Sequence, residues 1–467
     1  MRRALIAGVF LSFAIVLAIA AVRGMNIPSA IAATPPTITH GPVTGNVTDG
    51  SATVFIRLSR KASVALRYSA QAEGLSSGNF QTSSIQIADR SGNFTVRIPL
   101  TNLQPSTTYY FAVMANNILQ PMNSTPHFQT FPSPGSTVDF KIVNLTDFCC
   151  FSRTGYNPPL TNTFQSAYNE QPNLVLIGGD FDHRNPTGIN IASARREKRA
   201  MFQDLYTSYS GTSVLVNKIL REFPVAHMWD DHDYGDNNGD KNYQFKKVSL
   251  AVLNEYFPTY PTSKYGDWQK FRYGQAEFFL LDSRSQRDFH LDTDGSNKSM
   301  LDGDNLGSAG QYVWLTEGLK NSTARWKFVV SPVVFNPTLA KLDSWAGYLN
   351  EQQKLLDFIR TNGIKNIIVI SGDLHAGGID DGTNARLPEI LVPSASLVAV
   401  TKGDVACASI EAEGIGIWSA GTYFDQTSGT TCQGYGVIKV LTNPDRVILE
   451  VKNQDGVVKI TQTIAVQ

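Results

Sequence analysis

Leu174-Val175-Leu176-Ile177-Gly178-Gly179-Asp180-Phe181-Asp182-His183 runs from four apolar residues through a glycine turn into a cluster of ionisable side chains. A short apolar run of this kind reads as a strand buried on both faces, and the glycine pair marks its end. The pattern repeats outward along the chain. Asp139-Phe140-Lys141-Ile142-Val143-Asn144-Leu145 lies upstream, and Phe278-Phe279-Leu280-Leu281 lies downstream. Trp326-Lys327-Phe328-Val329-Val330 and Asn366-Ile367-Ile368-Val369-Ile370 continue the series. Amphipathic helices are expected over 193–209, 311–319 and 350–362, between strands. That alternation predicts an α/β domain, spanning 137–467, with sheet covered on both faces.

Polar residues gather where these strands end. The upstream strand runs into Thr146-Asp147 and the last into Ser371-Gly372-Asp373-Leu374-His375. Trp229-Asp230-Asp231-His232-Asp233-Tyr234-Gly235 lies between them. Ligands of open α/β sheets bind outside the carboxyl ends of strands. Carboxylates converging there cannot all stay ionised without countercharge, which divalent metals supply. Carboxylate with imidazole favours zinc, manganese or iron, and an oxygen-rich half favours calcium. Each element alone is weak, because an Asp after a strand is usually a cap. Four of them in order, each after an apolar strand, carry the signal.

This order resembles that of binuclear metallophosphatases. The Trp-Asp-Asp-His-Asp-Tyr-Gly and Ser-Gly-Asp-x-His forms, with Leu281-Asp282-Ser283-Arg284 and Gln311-Tyr312-Val313-Trp314-Leu315, are similar to the D-type (PhoD-like) alkaline phosphatases. The resemblance implies a two-sheet αββα sandwich preceded by a small antiparallel β-domain. It implies two metal ions, with Asp180 bridging them and Asp147, His183, Asp231, Asp373 and His375 as ligands. His232 would assist phosphate or leaving group. The family's separate strand-end histidine has no counterpart here; Ser331-Pro332-Val333-Val334-Phe335-Asn336 stands in its place. Oxygen ligands, Asn238 among them, are therefore expected to complete the second ion. Arg284 reads either as a bidentate phosphate clamp or as an ion-pair partner of Asp282 or Asp288. Asp182 is expected to orient a ligand, His227 to be a hydrogen-bonded core residue, and His290 to sit at the cleft rim. The implied chemistry is hydrolysis of a small phosphate ester by a metal-bridged hydroxide. A phosphodiesterase on the same site, and a surface- or ligand-binding protein with a degenerate metal site, are the alternatives.

Residues 37–131 read differently, as short strands punctuated by Gly, Ser and Asn, the pattern of a β-sandwich. Leu103-Gln104-Pro105-Ser106-Thr107-Thr108-Tyr109-Tyr110 resembles the lead-in to a late strand of fibronectin type III domains, with Tyr109 or Tyr110 making the corner hydrogen bond. Phe131-Pro132-Ser133-Pro134-Gly135-Ser136 is the linker that follows. At the start, Arg2 and Arg3 precede an apolar stretch and Ala30-Ile31-Ala32, the order of a secretory signal peptide over 1–32. A secreted or periplasmic protein follows, or one held by an uncleaved N-terminal anchor. Forty Lys+Arg balance forty Asp+Glu, so there is no nucleic-acid footprint and no charge-based attraction to membranes. A monomer is expected. Cys407 and Cys432 are the better disulfide candidates, with Cys149 and Cys150 as thiols.

Overall fold

A computed structural model describes residues 34–148, 162–207, 213–396, 414–423 and 433–467. The leader and the four cysteines lie outside these residues. Among the described residues no helix is long and apolar enough to cross a membrane. The chain from Thr37 onward is one unit. It begins with β1 (Ile38–Gly45), β2 (Ser51–Leu58), β3 (Ala62–Ser69), β4 (Thr95–Thr101) and β5 (Thr108–Ala115). Val54, Ile56, Val96 and Ile98 from one layer share a core with Val64, Leu66, Phe111 and Val113 from the other. Of the two corner candidates it is Tyr109 that serves: it is buried, and its hydroxyl accepts the Gln104 main-chain N–H at 3.0 Å.

Period-2 alternation then builds the two larger sheets. The first runs through β6 (Phe140–Leu145), β7 (Leu174–Ile177) and β8 (Val225–His227), which are mutually parallel. The second holds β9 (Gln269–Tyr273), β10 (Ala276–Leu280), β11 (Trp326–Val330), β12 (Ile367–Ser371), β13 (Gly377–Asp381) and β14 (Pro388–Leu391). Three C-terminal strands, β15 (Gly434–Thr442), β16 (Asp445–Asn453) and β17 (Val458–Ala465), return to the first sheet. Its order is β17-β16-β15-β6-β7-β8-β1-β2-β4, and the second reads β9-β10-β11-β12-β14-β13 with the two-residue strand Thr422–Tyr423 beyond β13.

Successive side chains on each strand part company. Ile142, Leu174 and Leu176 meet Phe278, Leu280, Phe328, Val330, Ile368 and Ile370 between the sheets. Val143, Leu145, Val175 and Ile177 face outward, sharing a core with helices Ile191–Leu205 and Lys246–Tyr256. Phe279, Val329, Ile367 and Val369 do the same beneath Gln311–Asn321 and Leu349–Thr361. This is the αββα sandwich. The carboxyl ends of β6, β7, β8 and β12 deliver the chemistry-bearing loops.

One expectation is corrected. Residues 37–131 do not stand free of the catalytic sheet, because β1 pairs in parallel with β8 at Gly45↔Val225 and makes the nine strands continuous. Glycine permits the approach: a Cβ on Gly45 would lie 2.5 Å from the Pro258 carbonyl oxygen and 2.7 Å from that of Val225.

Candidate metal centre

Each strand-end loop bends hard to aim its side chain. Asp147, Asp180, Asp373 and His375 all hold left-handed backbones, with φ of 54°, 52°, 70° and 54°. Non-glycine residues visit this region at a cost and cluster at functional sites when they do. The neighbouring structure holds them there. Asp233 accepts the main-chain N–H groups of Asp180 at 2.7 Å, Phe181 at 3.2 Å and Asp230 at 3.2 Å. Buried Lys198 donates to the carbonyls of His232 and Asp233 at 2.8 and 2.6 Å, pinning the one-turn helix Asp231–Tyr234.

On one side of the cleft, Asp147, His183 and His375 bring ligand atoms together, as do Asp180, His183 and His232. His183 Nδ1 donates to the Phe148 carbonyl at 2.9 Å, leaving a lone pair on Nε2. That outer bond is how proteins orient a ligating imidazole. His183 Nε2 lies 3.2 Å from His375 Nε2 and 3.5 Å from Asp180 Oδ2, and His375 Nε2 lies 3.5 Å from Asp147 Oδ1. Asp147 is fully buried and neither carboxylate oxygen has a hydrogen-bond partner. Burial, with Asp373 adding, pushes the Asp147 carboxyl well up; burial and Asp231 do the same to Asp180. Burial and the neighbouring histidines push His183 well down. Two carboxylates that resist ionising beside imidazoles that resist protonation form a donor set that fits a cation.

The other side differs. Asp231, Asp343 and Asp373 also converge, but around the guanidinium of Arg284. That group is 0% exposed, contacts Asp230 through Nε, and bonds Asp343 at 3.0 Å and Asp373 at 2.6 Å. Arg284 Nη1 stands 3.6 Å from Asp231, and Lys341 bonds the second oxygen of Asp373 at 2.9 Å. Burial raises Asp373 and Asp231, yet their cationic neighbours outweigh it and hold both below the usual carboxylate range.

Sequence-chosen residues therefore split into two groups. Asp147, Asp180, His183, His232 and His375 meet on one side and Asp231 and Asp373 on the other, with Asp180 also converging with Asp230 and Asp231 between them. Asn238 is half-buried; its main-chain N–H donates to Asp231 at 2.6 Å and its carbonyl accepts from Arg287 at 2.7 Å. Each nitrogen of Arg284 meets a carboxylate, Nε that of Asp230, Nη1 that of Asp343 and Nη2 that of Asp373, which is the ion-pair reading with other partners than Asp282 or Asp288. Its pairing with Asp282 is corrected, since the main-chain N–H, not the guanidinium, meets that residue. Asp182 binds Arg184. His227 is in the core but unsatisfied, stacked 3.7 Å from the Phe257 centroid with neither ring nitrogen bonded. His290 lies at the edge of the acidic cage, 4.0 Å from Asp343. Lys341, Asp343 and Arg287 went unremarked in the sequence, where they sit in irregular segments without a spacing signal.

The comparison with known proteins follows this geometry. Residues 148–435 match the family model described as PhoD-like phosphatase. The chain belongs to the PhoD-like phosphatases. Alkaline phosphatase D of Bacillus subtilis (strain 168) is 24% identical over 330 residues, 62% of this chain and 55% of that protein. The match thus spans about half the length of that relative. The solved structure of PhoD superposes with a TM-score of 0.69 at 18% identity, covering 92% of both chains. The purple acid phosphatase PPD1 from yellow lupin (Lupinus luteus) seeds gives 0.59 at 14% identity, over 92% of this chain and 74% of that one. At these identities the superpositions speak for the PhoD-like fold alone.

Proposed function

We propose that the chain is an exported, metal-dependent hydrolase of small phosphoric esters, acting as a monomer. In this reading 1–32 is the signal peptide, 37–131 a fibronectin type III-like region whose strands extend the catalytic sheet, and 137–467 the catalytic domain. The observation that carries it is Asp147, a fully buried carboxylate without a hydrogen bond among Asp180, His183 and His375. Such a group is costly unless a cation completes it. Family membership supports phosphoric-ester hydrolysis, and the donor set is compatible with zinc, manganese or iron.

When bound, the metal neutralises phosphoryl oxygens and makes water nucleophilic near neutral pH. The chain does the rest. Asp147, Asp180, His183 and His375 would hold the metal, and Asp233 and Lys198 fix the backbones that present Asp180 and His232. Water forms the new P–O bond as the ester P–O bond breaks, and the departing alkoxide takes a proton. His232 is placed for that transfer: its ring lies 4.6 Å from that of His183 and its Nδ1 is buried without a partner. Burial lowers its proton affinity, and an anionic ester arriving beside it restores it. No serine or threonine nucleophile is required.

The test is metal analysis of the purified protein, with rates on a panel of monoesters and diesters before and after chelation. Chelator-sensitive hydrolysis is expected. A protein that takes up none of zinc, manganese, iron or calcium, or hydrolyses no ester when loaded, sinks the reading.

A further inference from the structure

The two carboxylate sets adjoin at Asp180, which also converges with Asp230 and Asp231, and they differ in the cations their oxygens touch. Among the described residues no Lys or Arg pairs with Asp147 or Asp180, whose ionic neighbours are His375 and His183. In the other set every oxygen of Asp231, Asp343 and Asp373 has a hydrogen bond except Asp343 Oδ1, which has an ion contact. Asp373 receives Arg284 Nη2 at 2.6 Å and Lys341 Nζ at 2.9 Å. Asp343 receives Arg284 Nη1 at 3.0 Å and Arg287 Nη2 at 2.6 Å. Asp231 accepts the main-chain N–H groups of His232 at 2.8 Å and Asn238 at 2.6 Å. Asp230 is held by Arg284 Nε.

We propose that Arg284 is the second cation of this centre: its guanidinium, supported by Lys341, fills the place of a second metal ion, and the chain binds a single metal on Asp147, Asp180, His183 and His375. The inference deepens the metallohydrolase reading and rests on it. It departs from the paired ions that the family resemblance implies, and in it Asp180 is a terminal ligand instead of a bridge.

Three observations carry it. The cage already has Arg284, Arg287 and Lys341 against Asp230, Asp231, Asp343 and Asp373, so an added divalent ion would meet fixed like charge at contact range. A metal could enter only by evicting Arg284, a wholly buried group whose planar fork is matched to these carboxylates and which stays charged at any working pH. Breaking such a pair strands a buried charge. The segment standing where the family keeps its extra histidine also has its polar groups spent internally. Ser331 Oγ donates to the Val333 carbonyl at 2.7 Å and accepts from Trp345 Nε1 at 3.2 Å, while Asn336 Nδ2 donates to the Ile417 carbonyl at 2.8 Å. Nothing at the end of β11 is left to complete a second ion.

The experiment strips the full chain with a chelator and titrates it with Mn²⁺ alone. Bound metal is read by elemental analysis after gel filtration, and its environment by electron paramagnetic resonance. A single equivalent per chain with the spectrum of an isolated ion is expected. Asp147→Asn should abolish it. Arg284→Met, with folding checked by circular dichroism, should admit a second equivalent and give an exchange-coupled spectrum. Two equivalents or a coupled spectrum in the wild type would overturn the inference while leaving the metallohydrolase intact. No bound metal at all would overturn that reading along with it. A folded Arg284→Met that still holds a single ion would also count against it, and should that variant not fold, the wild-type stoichiometry decides alone.

Discussion

Asp180 and His232 sit 52 residues apart yet touch, the His232 main-chain N–H donating to Asp180 Oδ1 at 3.1 Å. They should nonetheless fail differently. Asp180→Asn is expected to lose both metal and activity, because it removes charge from a centre whose other donors, His183 and His375, are neutral and whose other carboxylate is Asp147. His232→Ala should keep its metal and lose about 10²–10⁴-fold in rate, roughly 3–5 kcal/mol of barrier. The loss should be smaller for a nitrophenyl ester, whose leaving group scarcely needs a proton, than for an alkyl ester. Rates for both esters and metal content in both variants check this; metal loss in His232→Ala would make that residue a ligand. At this scale the sequence was informative wherever a residue of the cleft followed an apolar strand. Asp147, Asp180, His183, Asp231, Asp373 and His375 were legible for that reason. The pairing of Asp343 and Asp373 with Arg284 was not, since they lie 59 and 89 residues away and only tertiary packing brings them in.

The strands that deliver these loops are tied to one another by buried polar side chains as well as by their ladders. Glu389 on β14 accepts the Phe335 main-chain N–H at 2.8 Å and the Ser371 hydroxyl at 2.6 Å, with its other oxygen unpartnered. Burial raises its carboxyl to about 7. A folded pKa above the unfolded value means this group's contribution is fully present below about 4.5 and is lost as pH rises through about 7. Glu389→Gln keeps the acceptor and removes the charge. Its unfolding free energy, read from thermal melts, should match wild type near pH 5 and exceed it at pH 8 by about 1–3 kcal/mol. An equal gap at both pH values would disprove the linkage. β7, β10, β11 and β12 were plain in the sequence because both faces are buried and the apolar run is unbroken. β15, β16 and β17 were not, since charged residues interrupt them. Lys439 and Lys452 both pair with Glu450 in the β15–β16 hairpin, and the ladder supplies a pairing that composition hides.

Across the whole molecule the N-terminal strands are part of one sheet, and the bonds across the seam are numerous. Tyr260 donates to the Val47 carbonyl at 2.9 Å, and Arg97 reaches the carbonyls of Asn254 at 3.0 Å and Thr259 at 3.1 Å. Phe131, in the stretch read as a linker, packs its ring 4.7 Å from that of Tyr273. The sequence showed the change of pattern at that linker but could not show the seam, because Gly45↔Val225 joins strands 180 residues apart through a glycine that carries no hydrophobic signal. Modules meeting across a small polar interface are expected to unfold separately, whereas a shared sheet and core couple them. Residues 37–467 should therefore give one calorimetric transition, with calorimetric and van't Hoff enthalpies in agreement. Gly45→Val places branched carbon where Pro258 and Val225 carbonyls stand at 2.5 and 2.7 Å from a single Cβ. Overpacking of that kind costs about 1–3 kcal/mol, so the variant should melt earlier and, with the seam opened, show two transitions. Two resolved transitions already in the wild type would mean that the continuous ladder contributes little coupling, and that residues 37–131 fold as a free unit despite it.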